Sequence, residues 1–443
     1  MTRRSCQLRA SPRVDPPGAR APPPRARFDA TSTWHTPPRI VALPLVALLA
    51  ALAIVQMGRT LHVGGTDLGG YVATGQALLD GTFNSDAWQN AWPPFFALFV
   101  VPLALLRHAL HSERQLVAVW FFADLGASIA LVILAARAAS PSRHVPWIVP
   151  VVAALCAVPY LRLNLLYCQI NTFLTLLCVV GFGRLATRQD DTCAGVLVAL
   201  AASVKVQPAL LLPCFALTGR PRALVAAILT AIACALSPAL AYGWPVLVDA
   251  TRFWLTQSIP AHAGGMGVSL PATAHQWANF LAGASISNLP RRPTGETLGA
   301  AVALLIVVGL HVYVYRRTRR GPHQPALDLA VILPAAVLST PLAWRYHLVA
   351  MVPAYAALAA YLLRAPADPS RRRATVVLTA LSVLFAYASE LGAVRSLGRA
   401  VEVAERGGAC TVPVFLGIAA LIVARGDRTS DVFSPKVRQV QPT

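Results

Sequence analysis

Apolar runs of roughly 15–25 residues, each almost free of charge, recur along this chain and match the length a helix needs to cross a ~30 Å hydrocarbon core. They occupy most of the sequence between residues 39 and 425. Inside a bilayer the backbone has no water to bond, so each run must satisfy its own N–H and C=O groups, and the helix is the element that does so. A membrane β-barrel would show short alternating strands instead, of about 10 residues each, and no such alternation is present. Composition agrees. Hydrophobic residues make up 56% of the chain and charged residues only 13%, against about a quarter charged in a typical soluble domain. The fold class expected is all-α, a polytopic integral membrane protein with about twelve transmembrane helices.

The net charge of +20 does not indicate a nucleic-acid partner. The basic residues sit in short loops between apolar runs, as the positive-inside rule requires, and no basic face with interleaved aromatics is present. Nearly all are arginines; the lysines are Lys205, inside an apolar run, and Lys436, in the polar tail. The eight cysteines show no CxxC spacing and read as small apolar residues rather than a disulfide or metal framework.

Residues 1–38, rich in Pro and Arg, read as a disordered cytoplasmic tail, 39–425 as the membrane domain and 426–443 as a second cytoplasmic tail. The arginine-bearing loops at 184–188, 220–222, 316–320 and 371–373 are expected in the cytoplasm. That places 61–92, 164–171, 205–208, 244–296, 340–346 and 392–410 on the outer side. Arg137 and Arg143 fit the same rule only if the short stretch 93–106, interrupted by Pro102, fails to cross. Residues 193–219 read as two short helices joined at Lys205–Pro208 or as one kinked helix. The outer loops 61–92 and 244–296 are the long ones, and the second carries Trp244, Phe253, Trp254, Trp277 and Phe280.

The outer side gathers the residues with chemical potential. Asp67 lies just past the first span. There it can cap the helix over 67–80, or act as a proton acceptor in a partly desolvated setting. Asp80 and Asp86 read as turn and loop residues. Gln169 and Asn171 at a helix mouth can bond sugar hydroxyls or tie helices together. Lys205, followed by Gln207 and Pro208, is an ionisable group inside an apolar run, which marks a functional site by default; it suits a phosphate ligand, and the bland reading is a lysine reaching to the interface. Arg345 and His347, in the segment STPLAWRYH, can respectively fork onto a phosphate and carry a proton, or belong to an interfacial belt with Trp344 and Tyr346. His262 and His275 lack metal-site spacing.

Three stretches carry a resemblance to a known family. They are TDLGGYVATGQALLDG followed by WPPFFALFVVPLALL, then CQINTFLTLL followed by AGVLVALAASVKVQPALLL, and STPLAWRYHLV. In order and spacing over about residues 60 to 365 the chain resembles glycosyltransferase family 87, in the GT-C superfamily of polyprenol-phosphate-sugar-dependent enzymes. The resemblance implies an inverting transfer with Asp67 as general base. Tyr71, Gln169, Asn171 and Gln207 would line the substrate site. Lys205, with Arg345 or His347, would hold the leaving polyprenyl phosphate, with no metal and no cofactor required. The implied partners are a polyprenyl-phosphate-linked sugar donor, a glycolipid or glycan acceptor and the lipid bilayer. Two positions depart from the family pattern. Cys168 stands where the family often has Gly, and Gly69-Gly70 precede Tyr71 where bulkier residues are common.

The expected function is transfer of a hexose, mannose first among them, to a periplasmic glycolipid or glycan at a bacterial inner membrane. The competing readings are a polyprenyl-lipid or solute transporter using the same cationic pocket without chemistry, and a non-catalytic scaffold.

Overall fold

Helices alone make up the regular structure of the described residues. A computed structural model describes residues 39–64, 66–83, 92–110, 112–140, 145–186, 190–258, 267–281, 293–320, 323–340, 343–363, 368–388 and 408–426. The two tails, Asp86 and His262 lie outside them. The helices are α1 (Arg39–Val63), α2 (Thr66–Leu79), α3 (Phe95–Ala109), α4 (Glu113–Ala139), α5 (Ile148–Tyr167), α6 (Asn171–Ala186), α7 (Asp191–Val204), α8 (Leu212–Leu217), α9 (Pro221–Tyr242) and α10 (Trp244–Phe253). They continue with α11 (Leu270–Leu281), α12 (Pro293–Arg320), α13 (Pro325–Ser339), α14 (Val352–Leu362), α15 (Pro369–Ala388) and α16 (Val412–Arg425). Two 3-10 turns, Gln207–Leu211 and Arg345–Met351, matter for the site.

Four of these helices are long and apolar enough to cross a membrane by length and composition: α4, α5, α9 and the Thr297–Arg320 part of α12. Others are apolar but shorter, among them α3, α6, α7, α13 and α16. Helix α7, with 14 residues, reaches only about 21 Å at 1.5 Å per residue. The bundle turns apolar side chains outward, as a lipid-facing surface requires. On α9, Val225, Ile228, Leu229, Ile232 and Leu236 are all exposed, as are Leu304, Leu305 and Val308 on α12.

Helix ends sort onto two faces. On one, the Thr60 hydroxyl at the end of α1 donates to the Leu165 carbonyl near the end of α5. The start of α6, the end of α7 and the 345–351 turn meet at the same place. On the other, Arg220 pairs with Asp191 at 3.3 Å, and Arg425 pairs with Asp328 at 2.8 Å.

Helix α3 packs along α2. Near its start Phe96 packs edge-on against Tyr71 of α2, with ring centroids 5.2 Å apart. Near its end His108 hydrogen-bonds Gln76 of α2 at 2.6 Å. Midway, a Cβ on Gly75 would stand 2.8 Å from the Val100 carbonyl oxygen, so the two backbones cross in contact because Gly75 has no side chain. Trp120, in the first third of α4, also packs on Tyr71 at 6.1 Å. These contacts pack α2, α3 and the start of α4 together around Tyr71.

The two soft points of the sequence also resolve. Helix α7 ends at Val204, Lys205 is extended (φ −142°, ψ 133°), and a 3-10 turn opens at Gln207 with Pro208 in its first positions. The region is thus two short helices with a break, not one kinked helix. Pro208 restricts the residue before it and cannot donate a backbone bond, which suits a break at this point. Helix α2 forms straight through Gly69-Gly70. The cost of glycine in a helix, roughly 0.5–1 kcal/mol each, is offset by the packing of Tyr71, fully buried among Trp92, Phe96 and Trp120.

Candidate functional site

Helix α5 ends on Cys168, whose φ of 52° and ψ of 48° place it in the left-handed region. It is the only non-glycine residue with positive φ among the described residues. That conformation costs an L-residue about 1–2 kcal/mol and is the usual place for a glycine after a helix. Here it is held by backbone bonds, with the Gln169 N–H donating to the Asn164 carbonyl at 2.9 Å. The turn swings Gln169 back toward α2 and starts α6 at Asn171.

Gln169 is the hub that results. Its Nε2 donates to the Asp67 carboxylate. Its Oε1 accepts from the Tyr71 hydroxyl at 3.4 Å and from Asn171 Nδ2 at 3.3 Å. Burial, with the nearby Asp67 charge, pushes the Tyr71 hydroxyl well above its ordinary pKa, so it stays protonated and serves as a donor. Asp67 lies in the first turn of α2, where the helix dipole favours an anion. Its side chain is half-buried and engaged by Gln169 rather than folded back as a cap.

The chain of contacts continues. Lys205 Nζ donates to Asn171 Oδ1 at 2.8 Å and lies 3.1 Å from His347 Nε2. On its other side the His347 ring is held by the Trp344 backbone, whose N–H donates to Nδ1 at 2.8 Å. The bond to Asn171 uses one of the three lysine N–H groups, which leaves donors for an incoming acceptor. Asn164 anchors the 345–351 turn from beneath by donating to the Tyr346 carbonyl.

A cleft opens between α6, the 207–211 turn, α13 and the 345–351 turn. Asn171, Gln207, Pro208 and His347 line it together with the apolar Leu174, Leu333, Val337 and Ala350. One side of the cleft is thus polar and adjoins a cation; the other is aliphatic. Around its outer edge Tyr346 packs near Tyr167 and stacks toward Trp344, at centroid distances of 5.9 and 6.4 Å.

Of the eight residues singled out in the sequence, six form one hydrogen-bonded series: Asp67, Tyr71, Gln169, Asn171, Lys205 and His347. Gln207 lines the cleft beside them. Arg345 opens the same turn as His347, but its charge acts on Tyr160 of α5. In a 3-10 turn, with three residues per turn, positions two apart point in different directions, so Arg345 and His347 do not share a face. The sequence reading missed Asp124, which is wholly buried on α4 beside Thr172; a lone acid within an apolar run is the signal that could have found it. Among the described residues no group of three or more His, Cys, Asp or Glu side chains is placed to hold a metal ion.

No curated protein and no solved structure matches the chain. A family model does, that of glycosyltransferase family 87, over residues 90–341. The matched segment contains Gln169, Asn171, Lys205 and Gln207 and stops short of Asp67, Tyr71, Arg345 and His347; Asp67, Tyr71 and His347 join the site through the contacts described above. With more than half of its 443 residues matched, this membrane protein belongs to glycosyltransferase family 87.

Proposed function

We propose that the chain transfers a hexose, mannose by preference, from a polyprenyl-phosphate donor to a glycolipid or glycan on the periplasmic side of a bacterial inner membrane, with inversion at the anomeric carbon. The observation that supports this most is the pairing of an acid and a cation through two amides. Asp67 and Lys205 stand at opposite ends of the Gln169–Asn171 bridge. In the proposed step the acceptor hydroxyl gives its proton to the Asp67 carboxylate as its oxygen bonds to the anomeric carbon. The bond from that carbon to the phosphate oxygen breaks, and its electron pair leaves with the polyprenyl phosphate. Lys205 and His347, in contact with each other at 3.1 Å, receive that anion. About twelve crossings, both tails in the cytoplasm and the acid-to-cation series on the outer face complete the proposed topology.

The test is mass spectrometry of envelope glycolipids from cells with and without the gene. Loss of one hexose from a defined lipid or glycan is expected. An unchanged glycolipid profile, together with movement of labelled polyprenyl lipid across vesicles that hold the purified protein and no acceptor, would replace transfer by transport.

A further inference from the structure

Helix α4 buries three polar side chains on one face, spaced four residues apart: Trp120, Asp124 and Ser128. Residues at i and i+4 are neighbours along a helix, and here they face α6. Across that contact stands Thr172, also wholly buried, whose hydroxyl is close enough to act on the Asp124 carboxylate. Both Asp124 carboxylate oxygens and Thr172 Oγ1 thus meet inside the bundle, with Ser128 Oγ buried one turn along the same face of α4. Beyond the contact between Thr172 and the carboxylate, no further partner reaches any of the four. No described ion pair reaches Asp124 either; the acids so engaged are Asp191, Asp328 and Asp368.

An unpaired carboxylate in an apolar interior costs several kcal/mol unless something neutralises it. A proton would do so, but it would sit on one oxygen and leave the others still unmatched. The Thr172 hydroxyl of α6 reaches the Asp124 carboxylate of α4, so oxygen ligands from two helices face one point. The donor set is oxygen only, which selects a hard cation over zinc or copper. It carries a single negative charge, which selects a monovalent cation over a divalent one. The indole N–H of Trp120, likewise unpartnered, is placed one turn away to bond a water completing the ion's shell.

We propose that Asp124, Ser128 and Thr172 hold a sodium ion between α4 and α6. Thr172 is the residue after Asn171, so the ion ties α4 to the start of the helix that presents Asn171 to Lys205. The field of the Asp124 carboxylate also reaches the Cys168 thiol, which places the ion beneath the left-handed turn that positions Gln169. The proposal does not depend on the donor or acceptor of the transfer reaction, since it concerns the protein alone.

The experiment uses the full-length protein in detergent micelles, melted in sodium, lithium, potassium or N-methylglucamine chloride at one ionic strength. Sodium is expected to raise the melting temperature by roughly 5 °C in a saturable way relative to N-methylglucamine. Asp124→Asn should abolish the rise. Thr172→Val and Ser128→Ala, milder changes, should move its midpoint to higher sodium. Equal melting of the wild type in all four salts overturns the proposal and leaves the site to a proton or water. So does a sodium-dependent rise that Asp124→Asn retains in full. If Asp124→Asn does not fold, an unchanged midpoint in both milder variants overturns it as well.

Discussion

The Lys205 ammonium donates to the Asn171 side-chain oxygen at 2.8 Å, which joins the break after α7 to the first residue of α6. That contact holds a half-buried positive charge against Asn171, which lines the cleft, while leaving a donor for a ligand. Replacing Lys205 by Ala removes the charge the donor phosphate would meet. A hydrogen bond to a charged group contributes about 1.5–3 kcal/mol, so donor affinity should fall roughly ten- to a hundredfold, as measured by equilibrium binding of labelled polyprenyl-phosphate sugar. Unchanged affinity would remove Lys205 from the phosphate site.

Gln169 orients the Asp67 carboxylate and spaces it from Asn171. Gln169→Leu keeps the bulk of the side chain and deletes its donor and acceptor. The turnover rate should drop by about one to two orders of magnitude, in the range of losses when a positioned group is misplaced, with donor KM changed much less. Steady-state kinetics at varied donor concentration separate the two effects. A pure rise in KM would mean that Gln169 binds substrate and does not position the acid.

Much of this arrangement is legible in the amino-acid sequence. The apolar runs, the break at Lys205–Pro208 and the loop charges follow from single-residue physics: hydropathy, a missing backbone N–H, and the cost of a buried ammonium. Three features are not. The close packing of α3 on α2 depends on Gly75 meeting the Val100 backbone, a contact that hydropathy does not carry. The direction of Arg345 depends on the 3-10 register of its turn, whereas its charge alone suggests a phosphate ligand. Asp124 disappears within the apolar average of α4, because one acid among 27 residues hardly moves a hydropathy window. The left-handed Cys168 has a partial sequence signal, since it stands at a position where a glycine is expected.

Helices α7 and α9 pack closest at Gly195. A Cβ there would collide with the Ala223 carbonyl oxygen, which is backbone and cannot rotate away. Gly195→Val should force the helices apart and destabilise the protein by at least the 1–3 kcal/mol typical of overpacking. A lowered melting temperature in detergent checks this. Gly183→Ala, at a position with open space around it, is the control and should melt like the wild type.

At the opposite face Asp328, on α13, and Arg425, at the end of α16, are both almost fully buried and pair at 2.8 Å, although not aligned as a hydrogen bond. His323 adds a second contact to the same carboxylate, also at 2.8 Å. Arg425→Met leaves that acid without its cation, and breaking a buried pair from one side costs about 3–5 kcal/mol. The double variant Asp328→Leu with Arg425→Met should recover most of the loss, because it removes both buried charges. Thermal melting of the single and double variants decides; a double variant no better than the single would show that the pair itself, not the stranded charge, carries the stability.

Asp67 carries the central claim. The decisive measurement is single-turnover transfer by purified Asp67→Asn, with labelled polyprenyl-phosphate mannose as donor and a membrane glycolipid extract as acceptor, alongside donor binding by the same variant. The amide keeps the shape and can still bond Gln169, but it cannot take a proton. Transfer should fall by about two to four orders of magnitude, the usual contribution of a general base, while donor affinity stays within a few-fold of wild type. Transfer at the wild-type rate would contradict the account.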